Sequence, residues 1–316
     1  MKGFFLMEHN PNVFFNDTTK NKFCQDIIKK QLNILNQKKI EQEKISPFIE
    51  EAWKKNNLFT EEKKQRLNDC GTFISFNGNG EMTGANFCRD KLCPICQWRK
   101  SRKVFGEIMQ IQKIVEKEVQ NFAFLTLTLK NTEHLEKGIT EILKGFYNFS
   151  NNRTFKKISS GYIRTLEITY NAKQKNWHPH IHLIIALKDC YYTDTYITTE
   201  KWSEIWKSCA RIDYEPIIAI RAIGKAEAVR EKAVAEVAKY AVKPFQTKGT
   251  ASDELKAYEG LYGGTAHRRL RSYGGIYAKA RKEVPEQKEP LDLTAELLFR
   301  RKKGVYELYT VFNATN

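Results

Sequence analysis

Residues 177–187 read WHPHIHLIIAL, placing three of the chain's six histidines at alternate positions before a run of aliphatic residues. Alternate side chains of a strand share one face, about 6.6–7 Å apart. His180 and His182 therefore project together, while Ile181 points to the opposite, core side. Two imidazoles so spaced can close on one divalent cation, each at about 2.1 Å. His178 lies on the same face one step farther along, so all three are not expected to ligate together. It is left as a further metal contact, a group orienting another ligand or touching phosphate, or a residue at the strand edge.

A third ligand is expected from the preceding strand. GYIRTLEITY, Gly161 to Tyr170, alternates as a strand should, and the polar NAKQKN that follows reads as a turn. If Tyr170 pairs with Trp177, the constant sum of an antiparallel ladder sets Glu167 opposite His180 on the same face. Oxygen and nitrogen ligands with open positions suit Mg²⁺ or Mn²⁺ acting on a phosphate. The bland alternative is a solvated histidine patch on an ordinary hairpin.

Charge points to the same kind of substrate. Lys and Arg number 53 against 37 Asp and Glu, a net +16, which favours a polyanionic partner, usually nucleic acid. An unspecialised basic protein, or one that touches anionic lipid, is the competing reading. No apolar run is long enough to span a membrane. MKGFFLMEHN at the amino end has no small-residue cleavage site, so the expected location is cytoplasmic.

Seven cysteines, an odd number without a secretory signal, argue for metal binding and free thiols over disulfides. Cys24, Cys190 and Cys209 stand apart, whereas Cys70, Cys88, Cys93 and Cys96 are grouped. The C-P-x-C knuckle turns two thiolates toward one ion, and four thiolates make a closed structural Zn²⁺ site. Arg89, Lys91, Arg99, Lys100, Arg102 and Lys103 lie in or just after this cluster and could bring charge to DNA. A second basic stretch, AHRRLRSYGGIYAKARK, offers Arg268, Arg269, Arg271 and Lys279, with Tyr273 and Tyr277 to stack on unpaired bases.

The expected class is α+β, with a zinc-bound Cys-rich element and an N-terminal helical extension. Residues 1–66 form the extension, with helices over Lys20–Gln42 and Pro47–Arg66. Residues 67–104 form the Cys-rich element, 105–283 the sheet domain, and 284–316 a tail ending in a further strand at GVYELYTVF. Phe122–Leu129, FAFLTLTL, is a strand, Leu135–Ser150 a helix, and the Ala-, Glu- and Lys-rich Lys225–Val242 a helix that Pro244 stops. Gly224-Lys225 lacks the rest of a phosphate loop, so no nucleotide-binding core is expected.

On that last helix AEVAKYAVKP sets Glu236, Tyr240 and Lys243 on one face. A phenol with a pKa near 10 attacks poorly unless a metal polarises the target and a lysine stabilises charge.

Together and in this order, FLTLTLKN, HPHIHLII and KYAVKP resemble the rolling-circle replication initiators of small bacterial plasmids, members of the HUH endonuclease superfamily. The resemblance spans about Cys70 to Tyr277 and implies a central antiparallel sheet with helices. It implies that His180, His182 and an acidic residue hold a divalent metal beneath the scissile phosphate. It also implies that Tyr240, in a Y-x-x-K motif with Lys243, nicks one strand of origin DNA and stays joined to its 5′ phosphate. The partner would then be plasmid origin DNA, double- and single-stranded, and the Cys-rich region resembles one that many such initiators carry. Since the motif offers one tyrosine, Glu236 is expected to activate water or position the departing strand for release. The alternatives are a conjugative relaxase or transposase of the same chemistry, or a zinc-dependent DNA-binding regulator without catalysis.

Overall fold

A computed structural model describes residues 19–240, 250–285 and 297–311. Along the chain, α1 (Thr19–Lys55) and α2 (Glu61–Asp69) precede a hairpin of β1 (Phe73–Phe76) and β2 (Met82–Ala85). Helix α3 (Pro94–Val115) leads to β3 (Asn121–Thr128), and α4 (Leu135–Asn151) and α5 (Arg153–Ile158) lead to the long hairpin of β4 (Ser159–Asn171) and β5 (Asn176–Leu187). Next come α6 (Thr199–Ala210), β6 (Ile218–Ile223), α7 (Glu227–Tyr240), α8 (Ala251–Gly264), β7 (Arg271–Gly275) and α9 (Ile276–Glu283). A last hairpin joins β8 (Leu297–Lys302) to β9 (Val305–Val311). The fold is mixed α+β with two antiparallel sheets. No helix of the described residues is long and apolar enough to cross a membrane.

The chain divides into two compact units. One comprises Met1–Ser46, Thr60–Cys96 and Gln287–Asn316. Its sheet has the order β2-β1-β8-β9, so the C-terminal hairpin completes a sheet that begins near residue 73. Within it Arg301 of β8 bonds Asn36 at 2.9 Å and Glu43 at 2.7 Å, and the Tyr306 hydroxyl donates to the Gly71 carbonyl. Helix α1 corrects the expectation of two helices parted before Pro47, because it runs through that proline. Pro47 has no N–H for the Glu43 carbonyl. The Ser46 hydroxyl donates to that oxygen instead, at 3.1 Å.

The other unit comprises Pro47–Phe59 and Gln97–Glu286. Its five-stranded sheet has the order β6-β3-β5-β4-β7, antiparallel throughout. Strand β5 is central, and Ile181 to Leu187 are all buried because helices cover both faces there. One face packs Phe122, Phe124, Ile163, Ile184 and Ile223 against Ile108 and Ile111 of α3, Val234 and Val237 of α7, and Tyr277 of α9. The opposite side is aromatic: Phe149 meets Phe155 at 4.8 Å, Trp202 at 5.9 Å and Trp206 at 6.0 Å between ring centroids. Each such side chain, once buried, contributes about 1.5–3 kcal/mol.

Proline in a central strand normally costs a ladder bond. Trp177 exchanges backbone bonds with Thr132 at 2.7 and 2.9 Å, so Pro179 faces that same neighbour. There the β3–β5 ladder stops at Thr128↔His180, and the missing N–H costs nothing. Glycine is required where β7 turns into α9. A Cβ on Gly161 would lie 2.4 Å from the Gly274 carbonyl oxygen, and Gly275 itself has φ +57°.

The Gly-rich basic stretch, in which no element is read from the sequence, holds the end of α8, β7 and α9. Strand β6 and helix α6 were likewise not read from the sequence, although IAIRAI alternates.

Candidate functional site

The β4–β5 register pairs Tyr170 with Trp177 and Glu167 with His180, as the constant-sum argument requires. Neighbouring β3 sets Thr128 beside His180 and Thr126 beside His182 on the same face. Glu167 is 4% exposed and His182 5% exposed, so a carboxylate and an imidazole meet largely out of water. Glu167 Oε2 lies 2.5 Å from His180 Nε2 and 2.9 Å from His182 Nε2. Adjacent ligands of an octahedral cation with bonds of about 2.1 Å stand roughly 3 Å apart, so the three atoms fit one centre.

The far side of each ring decides what its Nε2 offers. His180 Nδ1 faces the His178 carbonyl at 3.2 Å, and a carbonyl can only accept, so that nitrogen carries the proton. With Nδ1 so engaged, His180 Nε2 is the nitrogen turned toward the carboxylate oxygen and available to a cation. His182 Nδ1 is bonded to the Thr126 hydroxyl at 3.1 Å, which leaves its Nε2 toward the same oxygen. Burial pushes the His182 pKa below its ordinary value despite the Glu167 hydrogen bond, keeping the ring neutral and able to ligate.

His178 stands apart from this convergence. Its ring lies edge-on to His180 with centroids 5.1 Å apart, and its Nε2 is buried without a hydrogen-bond partner among the described residues.

Helix α7 lies over the same face. Arg230, near its start, donates to the Gln120 carbonyl at 3.2 Å, and Glu236, nearer its end, meets Arg221 at 2.5 Å. Arg221 pairs with Phe124 across the β3–β6 ladder, and α7 packs against β4, β5 and β6. Tyr240, one turn beyond Glu236, is the last described residue of α7. The Tyr240 side chain and all of Lys243 lie outside the described residues. Glu236 itself is half-buried, salt-bridged to Arg221, and close enough to raise the His182 pKa.

In the other unit, Cys70, Cys88, Cys93 and Cys96 bring four sulfurs within 4.8 Å of one another. Sulfur pairs stand 3.7 Å (Cys70–Cys93), 3.7 Å (Cys70–Cys96) and 3.6 Å (Cys88–Cys96) apart. A tetrahedral tetrathiolate with metal–sulfur bonds of about 2.3 Å has edges of roughly 3.8 Å, so the donor set fits such a centre. With no cation, hydrogen bonds among the sulfurs, that to Cys70 foremost, push Cys88 and Cys93 far up and hold Cys96 down. Pro94 opens α3 at the position where a missing N–H is harmless, and Cys96 follows in the first turn.

The basic residues differ in exposure. Arg89, Lys91, Lys100, Arg102, Lys103, Arg269 and Lys279 are exposed, and Arg99 is half-buried. Arg102 stacks over Trp98, 5.3 Å from the ring centroid. Arg268 bonds Thr140 at 3.0 Å and reaches Glu136 at 3.5 Å. Arg271 is bound to Glu107 at 2.9 Å, and Tyr273 bonds the same carboxylate at 3.3 Å. Tyr277 corrects the stacking expectation: it is fully buried and its hydroxyl donates to Gln112 Oε1 at 2.6 Å. Among residues that sequence reasoning passed over, Thr126 was recoverable, because FAFLTLTL puts its threonines on one face. Arg221 and Glu107 gave no local signal.

The profile of the replication protein family matches residues 79–308, from the β1–β2 turn to β9. The chain belongs to that family. Replication proteins of similar sequence include the "Protein rep" of Streptococcus pneumoniae serotype 2, 31% identical over 231 residues, covering 70% of this chain and 71% of that one. The "Protein rep" of Bacillus amyloliquefaciens is 33% identical over 247 residues, covering 70% and 73%. That of Staphylococcus aureus is 33% identical over 193 residues, covering 58% and 83%. Membership agrees with the resemblance of the histidine and tyrosine motifs and makes the chain a plasmid replication initiator. No solved structure matches this replication protein.

Proposed function

We propose that this replication initiator nicks one strand of its plasmid origin through a tyrosyl–DNA intermediate and later transfers or reseals that strand. The Tyr240 oxygen attacks the scissile phosphorus and forms a bond to the 5′ phosphate. The bond from phosphorus to the 3′ oxygen breaks, and the phenol proton ends on that 3′ oxygen. One phosphoester replaces another, so rejoining needs no ATP. His180, His182 and Glu167 would hold Mg²⁺ or Mn²⁺, which polarises the phosphate and lowers the barrier for a weak nucleophile. The His178 carbonyl and Thr126 fix the two imidazoles, Lys243 balances charge beside the phenol, and Glu236 serves release of the strand.

The observation that carries this reading is the convergence of two imidazole nitrogens on one oxygen of a buried carboxylate. It lies on the face that α7 crosses on its way to Tyr240. Cys70, Cys88, Cys93 and Cys96 would hold a structural Zn²⁺. The exposed basic residues Arg89, Lys91, Lys100, Arg102, Lys103, Arg269 and Lys279 supply the attraction to DNA, with Arg99, Arg268 and Arg271 in support. A host helicase would open the duplex.

Incubation with supercoiled plasmid carrying the origin tests the proposal. Open circles should form with Mn²⁺ or Mg²⁺, vanish with chelator, and fail to form with Glu167→Gln although DNA is still bound. Nicking that survives both treatments would refute the metal-assisted route.

A further inference from the structure

Helix α1, whose role the sequence leaves blank, buries a stripe at helical spacing: Ile28, Leu32 and Leu35, then Lys39 and Gln42. A lysine 2% exposed in that stripe is unusual, since buried lysines are normally paired. Its ammonium donates to Gln42 Oε1 at 2.8 Å and to the Asn68 carbonyl at 2.6 Å, both neutral acceptors. Burial pushes the Lys39 ammonium below its ordinary pKa, while Cys70, Glu43 and Cys93 pull it back up and Arg301 lowers it further. Glu43 is already engaged by Arg301 at 2.7 Å. Asn68 lies in the last turn of α2, two residues before Cys70.

If the four cysteines were neutral thiols, α1 would bury a cation answered only by Glu43, which Arg301 already engages. Four thiolates around a divalent cation leave an excess of about two negative charges in a closed, buried site. We infer that Lys39 is the counter-charge of the four-cysteine metal centre, so that α1 locks the centre and the metal in turn holds α1 in place. This rests on the reading that the cluster carries a divalent metal. A competing role is purely structural: Lys39 would only cap the carbonyl end of α2, with or without metal.

Full-length wild type, Lys39→Met and Lys39→Arg separate these. Metal content is measured by atomic emission, release by transfer of Zn²⁺ to a chromophoric chelator, and melting with and without the metal. Wild type should carry the metal, and Lys39→Met should release it about tenfold faster while Lys39→Arg stays near wild type. With metal, Lys39→Met should melt lower than wild type; after chelation it should melt no lower, because a buried unanswered charge has gone. Unchanged release, or an equal drop in melting in both states, would overturn the assignment in favour of capping. Wild type without metal would instead overturn the zinc reading on which it rests. Hydrogen exchange on wild type decides the matter even if Lys39→Met does not fold. Chelation should strip protection from amides around Lys39, and protection unchanged there would sink the coupling.

Discussion

Glu167 Oε2 and His182 Nε2 stand 2.9 Å apart on neighbouring strands, and Thr126 holds the far side of the same imidazole. That spacing is one shared ligation would keep. Saturating Mn²⁺ should therefore stabilise the folded protein, by about 2.7 kcal/mol at a hundred times Kd. Glu167→Gln removes the one anionic ligand and should weaken Mn²⁺ at least about tenfold, reducing that gain to about 1.4 kcal/mol at the same concentration. Titration calorimetry and melting with and without Mn²⁺ measure both.

Acid should loosen the same site. Burial pushes the pKa of His182 below the ordinary 6.5, and burial with the nearby His180 does so for His178. Between that value and the lowered ones, the unfolded chain holds protons the folded chain refuses. Stability contributed by these rings is thus present above 6.5 and falls as pH drops toward the folded values. Urea midpoints taken from about pH 7.5 down to about pH 5 should decrease, and more steeply with Mn²⁺ bound, because protons then also displace the metal. A flat profile in both conditions would count against the buried neutral histidines.

Tyr277 belongs to the core and not to the DNA-binding surface. Tyr277→Phe leaves Gln112 Oε1 buried without its 2.6 Å donor. The cost should be about 1–3 kcal/mol of stability in denaturant unfolding. Single-stranded DNA affinity should stay unchanged, where a stacking residue would lose it.

Glu236 and Arg221 form a half-exposed pair, so Arg221→Met should cost less than about 1 kcal/mol. Glu236→Gln is expected to leave the first cleavage intact and to slow strand release at termination, followed by the ratio of nicked to released circles. Equal loss at both steps would remove Glu236 from termination.

The convergence of Glu167, His180 and His182 was largely legible because strand geometry is local. Alternation of His180 and His182, plus a short turn, fixes Glu167 opposite them before any tertiary contact is known. The four-cysteine cluster was legible from spacing, for the same reason. Illegible features depended on partners distant in sequence. Tyr277, expected to stack on unpaired bases, is turned by α9 onto Gln112 of α3. The pairing of β8 with β1 joins residues more than two hundred positions apart and leaves no trace in either strand alone. Lys39 reads as one more surface lysine unless its place on the stripe of Leu32 and Leu35 is noticed.

Covalent capture of DNA tests the central claim most directly. Wild type, given Mn²⁺ and a labelled single strand bearing the nick site, should yield a denaturation-resistant adduct whose peptide maps to Tyr240 by mass spectrometry. Tyr240→Phe should bind the same DNA and give none. An adduct of equal yield in Tyr240→Phe, or one mapped to another residue, would contradict the account.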